Sequence, residues 1–205
     1  VTALNEWPVA LLERFEEEFL AIPTEAVISS MAEHQKYFHL VNSDGKLLPM
    51  FITISNLESK NPSEIIDGNE RVIRPRLSDA AFFYSSDKKT TLEQKRVSLK
   101  SIVFQERLGS LYDKTVRLSM LTKYLAPIVG SDVSLSIRTA ELCKSDLVTD
   151  MVGEFESLQG VMGRYYAIND GEDTEVAEAI LEHYMPKFSG DAIPGTTTGA
   201  TLAIA

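Results

Sequence analysis

The sequence is poor in the residues that metal sites and covalent catalysis use most often. It has one cysteine, Cys143, and three histidines in 205 residues. None of the HxxxH, HExxH or CxxC spacings of conventional zinc sites occurs. A single cysteine cannot form an intramolecular disulfide, which favours a reducing compartment. Because no partner base stands near it in the sequence, we expect Cys143 to be a small buried residue and not a nucleophile.

Motifs for nucleotide phosphates and for serine hydrolases are missing as well. The sequence contains no GxxxxGK[ST], no GxGxxG and no GxSxG. It has no apolar run near the ~20 residues that cross a bilayer, and no visible signal peptide. We therefore expect a cytoplasmic protein that does not span a membrane and has no catalytic residues of its own.

Positive charge is scarce and unevenly distributed. The formal net charge is −10, which argues against a protein that binds nucleic acid over its whole surface. Residues 71–107 nevertheless hold nine Lys and Arg against four acids, whereas residues 110–205 hold seven against fourteen. An anion-binding surface is therefore expected to begin in the middle of the chain.

Three arginines, Arg71, Arg74 and Arg76, occupy six consecutive positions around Pro75. The proline predicts a bend in the helix that carries them. One interpretation is a solvated helix face whose arginines form internal ion pairs. The other is a surface for phosphate or for an acidic partner, because the guanidinium group binds anionic oxygens in a bidentate manner. The internal ion pairs expected under the first interpretation are Arg71–Asp67, Arg76–Asp79 and Arg76–Glu70.

Residues 1–84 predict a small mixed α/β region. A helix is expected over 8–21, followed by strands over 24–31, 37–42 and 47–55. The Asp-Gly turn that ends at Gly45 predicts a β-hairpin, because glycine adopts a positive φ without steric cost. Pro49 predicts that the second hairpin strand lies at a sheet edge or starts after the proline.

Residues 85–205 predict a helical domain, so the fold class is α+β. Asp132 and Asp173 are expected to cap two of its helices. His183 lies late in a helix, where the helix C-terminus favours the protonated imidazole and where capping or packing is the expected role. The last residues start another helix, as though the domain were cut from something longer. The helices predicted after residue 61 start at Pro62 and cover about 91–105, 110–128, 132–148, 150–166 and 173–185.

Six ordered segments resemble the bacterial-type glycyl-tRNA synthetase beta subunit. They include GNERVIRPRLSDAAFFY at 68–84 and KSDLVTDMVGEFESLQGVMGRYYA at 144–167. The resemblance covers almost the whole chain and marks it as an internal fragment of a longer subunit, with the anticodon-binding region beyond residue 205. The other four segments are 33–40, 44–56, 104–114 and 182–191.

The family resemblance implies a role without chemistry of its own. In this family the catalytic core, with its ATP, Mg²⁺ and glycine sites, belongs to the alpha subunit. The beta subunit contributes the binding of glycine tRNA and assembly into a heterotetramer, or into a single alpha–beta fusion chain. The implied partners are therefore the alpha subunit and glycine tRNA.

The helical half also resembles the HD phosphohydrolase superfamily. Residues 111–126 are similar to its first metal-ligand helix, but Lys114 stands where a histidine ligand is expected. Residues 138–149 are similar to the helix with the His-Asp pair, which here reads Ser145-Asp146. An ammonium group and a serine are poor metal ligands, so the resemblance implies an HD-like scaffold without metal or hydrolase activity. Lys114 would instead neutralise Asp146 or contact phosphate.

Three functions remain open on these residues: tRNA binding with subunit assembly, a metal-dependent HD-type phosphohydrolase, and a purely protein-binding scaffold. Tyr37, Tyr165 and Tyr166 are candidates for base stacking, although core packing is the simpler use. The candidates for contact with nucleic acid are Lys36, Arg71, Arg74, Arg76, Lys114 and Arg164.

Overall fold

The computed structural model describes residues 5–205, apart from the side chain of His34. The chain falls into two units, the first ending at Ser85 and the second beginning at Ser86. The first unit carries a three-stranded antiparallel sheet with helices, and the second is mainly helical. The α+β class predicted from the sequence is therefore confirmed.

The sheet of the first unit has the order β1–β3–β2. Strand β1 (Val9–Arg14) and strand β2 (Phe38–Val41) both pair antiparallel with the central strand β3 (Leu47–Ser55). The predicted hairpin between β2 and β3 is confirmed. Gly45 has a φ of +76° in its turn, and the Asn42 side chain accepts two backbone N–H bonds there.

Pro49 lies inside the central strand, so the expectation of an edge position or a later start is wrong. The pairing of β2 with β3 shifts register between His39 and Val41, beside the proline. The ladder is already interrupted at this point, so the missing N–H of proline removes little from it. On the other side of β3, the Pro49 carbonyl accepts the Phe15 N–H at 3.2 Å.

Two predicted elements have the wrong type. Residues 8–21 form β1 and a 3-10 helix (Glu17–Ala21), and residues 24–31 lie in helix α1 (Thr24–Gln35). The β-branched residues of 24–31 suggested a strand, but tertiary packing overrides this weak preference. The buried positions have the i, i+4 spacing of a helix face, and they are Ala26, Val27, Ser30 and Met31.

Helix α2 (Pro62–Asp87) carries the arginine cluster and confirms the helix predicted there. It buries Ile73, Leu77 and Ala80 on one side. The Glu70 carboxylate on this helix accepts the Arg14 N–H at the end of β1, at 2.9 Å. This contact ties α2 to the sheet of the first unit.

The second unit consists of short helices packed around α4 and α5. Helix α4 packs on α5, α7 on α8, and α9 on α4, α5 and α8. Three 3-10 helices interrupt the series, at Val97–Ser101, Ser145–Val148 and Glu156–Leu158. The α-helices are α3 (Leu92–Arg96), α4 (Leu111–Val129), α5 (Val133–Leu142), α6 (Asp150–Glu154), α7 (Val161–Asp170), α8 (Thr174–Glu182) and α9 (Thr197–Ile204).

Three of the helices predicted for the second unit are longer than the helices that the structure contains there. The segment predicted as a helix over 91–105 ends in strand β4 (Val103–Gln105), which forms a hairpin with β5 (Gly109–Ser110). The segments 132–148 and 150–166 each break into shorter pieces. Asp132 and Asp173 cap α5 and α8 as predicted, since their carboxylates accept backbone N–H groups of the first turns.

A bilayer-spanning helix is not found within residues 5–205, because none there combines the necessary length with the necessary apolarity.

Candidate functional site

The three arginines of α2 do not share one surface. Successive residues of an α-helix turn by about 100°, so Arg71 and Arg76 point in directions roughly 140° apart. Arg71 and Arg74 are exposed, whereas Arg76 is half-buried on the flank near the packed side. A single flat anion would therefore not contact all three guanidinium groups.

The arginines also differ in their ion pairs. Arg74 pairs with Glu16 through its Nε atom, and both side chains stay largely exposed. In the part of the chain that the structure describes, neither Arg71 nor Arg76 has an acidic partner within 4 Å. The pairs expected from the sequence, Arg71–Asp67 and Arg76 with Asp79 or Glu70, are not formed. Arg71 is thus the member of the cluster that is both exposed and uncompensated at contact distance.

Lys36 ends helix α1 with a left-handed backbone, at a φ of +58°. Its ammonium group donates to the Glu33 carbonyl at 2.6 Å, which uses one of its three protons. The side chain is exposed and lies on the wall of a pocket of about 460 Å³ in the first unit. Lys36 is therefore a candidate cation for ligand contact that lies at a concave surface.

The wall of this pocket is a hydrogen-bonded network. Thr53 on β3 and Asn69 on α2 line the pocket and both donate to one oxygen, Oε1, of the Glu13 carboxylate, at 2.7 and 2.9 Å. Tyr37 also lines the pocket and donates its hydroxyl to the Asn69 side-chain oxygen at 3.3 Å. Glu13 itself is fully buried, and this burial raises the pKa of its carboxyl group.

Two further candidate cations are engaged within the second unit. The Arg164 guanidinium forms an ion pair with Glu178 at 3.5 Å and lies over the Tyr165 ring. The Lys114 ammonium lies over the Phe104 ring, 4.3 Å from its centroid. Neither side chain is presented as an isolated surface charge.

The Ser145-Asp146 pair, at the degenerate HD positions, is completely buried. The Asp146 Oδ2 atom accepts the Gly160 N–H at 2.7 Å, and the Gly163 N–H also donates to this carboxylate. Burial raises the pKa of Asp146 to about 6, and these N–H groups and the nearby Lys144 ammonium oppose the rise. Asp146 therefore acts as a buried acceptor for the start of helix α7.

Lys144 supplies the buried cation of this site. Its ammonium lies 2.7 Å from the His183 Nε2 atom and 3.9 Å from the Tyr184 ring centroid. The His183 Nδ1–H donates to the Ile180 carbonyl at 2.6 Å, so Nε2 is the acceptor for the ammonium proton. Burial, with the Lys144 charge, lowers the pKa of His183 to about 3.

The expectation of a protonated His183 is therefore wrong. His183 caps α8 as predicted, but desolvation and the adjacent ammonium outweigh the helix C-terminus. Burial also lowers the pKa of Lys144.

Tyr37, a candidate for base stacking, stacks on Phe51 with 5.0 Å between the ring centroids, so its ring serves packing.

The donor set at these positions does not fit a metal ion. The His183 lone pair is occupied by the Lys144 ammonium, and the neighbouring position holds the Ser145 hydroxyl, a weak ligand. Apart from His34, whose side chain is not described, residues 5–205 contain no group of three or more His, Cys, Asp or Glu side chains placed to hold a metal. The arrangement has an electrostatic and structural role.

Sequence reasoning found the positions of this site but missed its cation. The sequence predicts that Lys114 neutralises Asp146 or contacts phosphate, yet Lys144, next to the Ser-Asp pair, is the ammonium that partly opposes the rise of the Asp146 pKa. Its position beside that pair was an available signal. Glu13 and Asn69 belong to no motif, and only the fold brings them together.

Cys143 is buried as predicted, and burial raises the pKa of its thiol to about 12.

Comparison with known proteins gives a consistent result. Residues 1–205 match the family described as glycyl-tRNA synthetase beta subunit. The chain is 62% identical over 205 residues to the glycine–tRNA ligase beta subunit of Marinobacter nauticus, 55% to that of Pseudomonas fluorescens (strain Pf-5), and 54% to that of Hahella chejuensis. Each match covers 100% of this chain and 30% of the relative, so the chain spans about a third of their length.

Proposed function

The chain belongs to the glycyl-tRNA synthetase beta subunit family, and on that premise we propose that it helps a cytoplasmic enzyme to attach glycine to tRNA in an ATP-dependent reaction. Its part is to bind glycine tRNA and to support subunit assembly. The reaction itself, with ATP and Mg²⁺, takes place on a separate alpha subunit. The observation that carries this proposal is the family match over all 205 residues.

The tRNA contacts are proposed to come from cations that the fold leaves available. Arg71 is exposed and has no acidic partner within 4 Å in the described structure, and Lys36 is exposed beside a pocket. Arg76 lacks such a partner as well but is half-buried. Arg74, Lys114 and Arg164 are engaged in internal contacts, so they are secondary candidates.

A salt series tests this ranking. The full-length subunit, assembled with its alpha partner, is titrated with glycine tRNA at several salt concentrations. Arg71→Ala is expected to weaken binding and to lower the magnitude of the slope of log K against log salt by about one for each lost phosphate contact. Arg74→Ala is the matched control on the same helix, and it is expected to change the slope less. Equal slopes in the wild type and both variants would contradict the ranking.

Assembly is the second part of the proposal, and the residue distribution of α4 favours it. This helix buries Thr115, Thr122 and Ala126. Its opposite face exposes Met120, Tyr124 and Ile128, with exposed fractions between 61% and 72%. A surface helix normally has the reverse distribution, and a continuous exposed apolar stripe is typical of an interface.

The occupant proposed for this stripe is another segment of the full-length subunit, because the relatives carry more than this chain spans. Thiol labelling in the full-length subunit tests the contact. Met120→Cys is expected to react at least about tenfold more slowly than Ser134→Cys, an exposed position on α5, because a thiol in an interface is inaccessible to the reagent. Equal rates at both positions would contradict the proposed contact. Native Cys143 is buried and adds little background.

A further inference from the structure

Directly behind the wall of the pocket in the first unit lies the buried carboxyl group of Glu13. Glu13 is fully buried, and its Oε2 atom has no hydrogen-bond partner among the described residues. A buried carboxylate usually has a cation beside it, because desolvation of the charge is costly. Within residues 5–205 no Lys or Arg pairs with Glu13. The two side chains that hold its other oxygen, Thr53 and Asn69, face the pocket.

The side-chain hydrogen-bond donors of this network are all used within it, whereas some of its acceptors are not. The Thr53 hydroxyl proton goes to Glu13, the Asn69 amide protons go to Glu13 and Thr53, and the Tyr37 hydroxyl proton goes to Asn69. Every side-chain proton donor of the network is therefore used internally. Toward the pocket, lone pairs remain on the Tyr37 hydroxyl and on the Asn69 carbonyl oxygen. Such a wall accepts hydrogen bonds from proton donors, and the carboxyl group of Glu13 behind it favours positive charge.

A positive charge, the Lys36 ammonium, lies at the rim of the pocket. The Lys36 ammonium lines the same pocket and has donated only one of its protons, to the Glu33 carbonyl. It is exposed, so a ligand can reach it from solvent. The volume of about 460 Å³ lies in the range of small-molecule sites.

We propose that this pocket binds a small molecule with a protonated primary amine, which contacts Tyr37 and Asn69 in front of the buried Glu13, and with an anionic group directed toward Lys36. An ammonium group supplies the three donors that the wall lacks, and the anionic group uses the remaining protons of Lys36. The inference does not depend on tRNA binding, and its test contains no tRNA.

Ligand-observed NMR on the full-length subunit tests the proposal with three small probes and with adenosine monophosphate as a larger control. Phosphoethanolamine carries both charges, ethanolamine carries the amine alone, and ethylene glycol carries neither. Phosphoethanolamine is expected to bind most tightly, ethanolamine more weakly, and ethylene glycol not measurably. Binding of all three with the same Kd, or of none, would overturn the proposal. Binding of adenosine monophosphate without binding of either amine would also overturn it, because it would indicate a nucleotide site.

Variants localise the binding to the pocket. Glu13→Gln is expected to raise the Kd of both amines about threefold or more, because it removes the negative charge that lies behind the pocket wall. Tyr37→Phe, which removes a single hydroxyl at the pocket wall, provides a second reading if Glu13→Gln does not fold. Lys36→Met is expected to weaken phosphoethanolamine alone, and Lys46→Met, an exposed lysine in the hairpin turn, is expected to weaken neither. Folded Glu13→Gln and Tyr37→Phe proteins with unchanged affinity for ethanolamine would overturn the assignment.

Discussion

Each unit of the molecule buries one carboxylate completely, but the two are held by different kinds of donor. Glu13, in the first unit, is held by the side chains of Thr53 and Asn69. Asp146, in the second unit, is held by the backbone N–H groups of Gly160 and Gly163. Burial raises the pKa of both carboxyl groups.

The difference in donors indicates a difference in use. Backbone donors at the start of a helix cannot turn elsewhere, so removing their acceptor leaves them buried and unsatisfied. The Thr53 and Asn69 side chains line a pocket, so water or a ligand can replace a lost contact there. Asp146 is therefore a structural acceptor, whereas Glu13 holds two side chains that line the proposed ligand pocket.

Removal of the acceptor at Asp146 is expected to have the largest effect. Asp146→Ala leaves two buried N–H groups unpaired, and we expect a loss of about 3 kcal/mol or more in the free energy of unfolding. Asp146→Asn keeps one acceptor oxygen and is expected to recover most of this loss. Urea denaturation measures both. Equal losses for Ala and Asn would show that the negative charge matters and the acceptor does not, and Glu154→Gln, at an exposed position, serves as the control.

The close packing around Asp146 gives the next largest effect. A Cβ atom on Gly163 would lie 2.6 Å from the Ile180 Cγ2 atom and 3.1 Å from Asp146 Oδ2. Gly163→Ala is therefore expected to cost about 1–3 kcal/mol through overpacking. Gly153→Ala, where a Cβ meets nothing within 4 Å, is expected to be neutral or stabilising. A neutral Gly163→Ala variant would contradict the described packing.

The pH dependence of unfolding separates the Asp146 charge from its acceptor role. The folded pKa of about 6 lies above the ordinary value of 3.8, so between these values the folded state holds the extra proton. This carboxyl group therefore adds stability as the pH falls from 6 to 4, by about 1.4 kcal/mol per pH unit at most. Asp146→Asn is expected to lack this gain, so its stability relative to the wild type should decline over the same window. Parallel curves would contradict the raised pKa.

The smallest expected effect on stability is at the pocket. Tyr37→Phe removes one hydrogen bond to Asn69 at a wall where water can replace it, so we expect a loss below about 1 kcal/mol. Thermal or urea unfolding measures it. A loss as large as that of Asp146→Ala would erase the proposed distinction between the two carboxylates.

The local features of the fold were predictable where one residue type decides the backbone. Gly45 identified the hairpin, and Asp132 and Asp173 identified two helix starts, because these residues act through contacts within a few positions. Strand β1 and helix α1 were misassigned because their type depends on what they pack against. Pro49 was misplaced because an irregularity in the partner strand accommodates it.

The candidate site was predictable only in part, for a similar reason. The sequence indicated Ser145 and Asp146 through a resemblance, and it indicated the arginines through their density. It contained no signal that Glu13, Thr53 and Asn69, from β1, β3 and α2, meet in one hydrogen-bonded network, because 56 positions separate the first from the last. Arg71 and Arg76 likewise point in different directions because of the rotation of the helix, although they are close in the sequence.

The most direct test of the central claim is steady-state aminoacylation of glycine tRNA by the assembled enzyme that carries Lys36→Ala and Arg71→Ala together. If this part of the subunit binds tRNA without taking part in the chemistry, the KM for tRNA rises and kcat stays unchanged. A fall in kcat with an unchanged KM for tRNA would contradict the account, because these residues would then act in the reaction and not in the binding of tRNA.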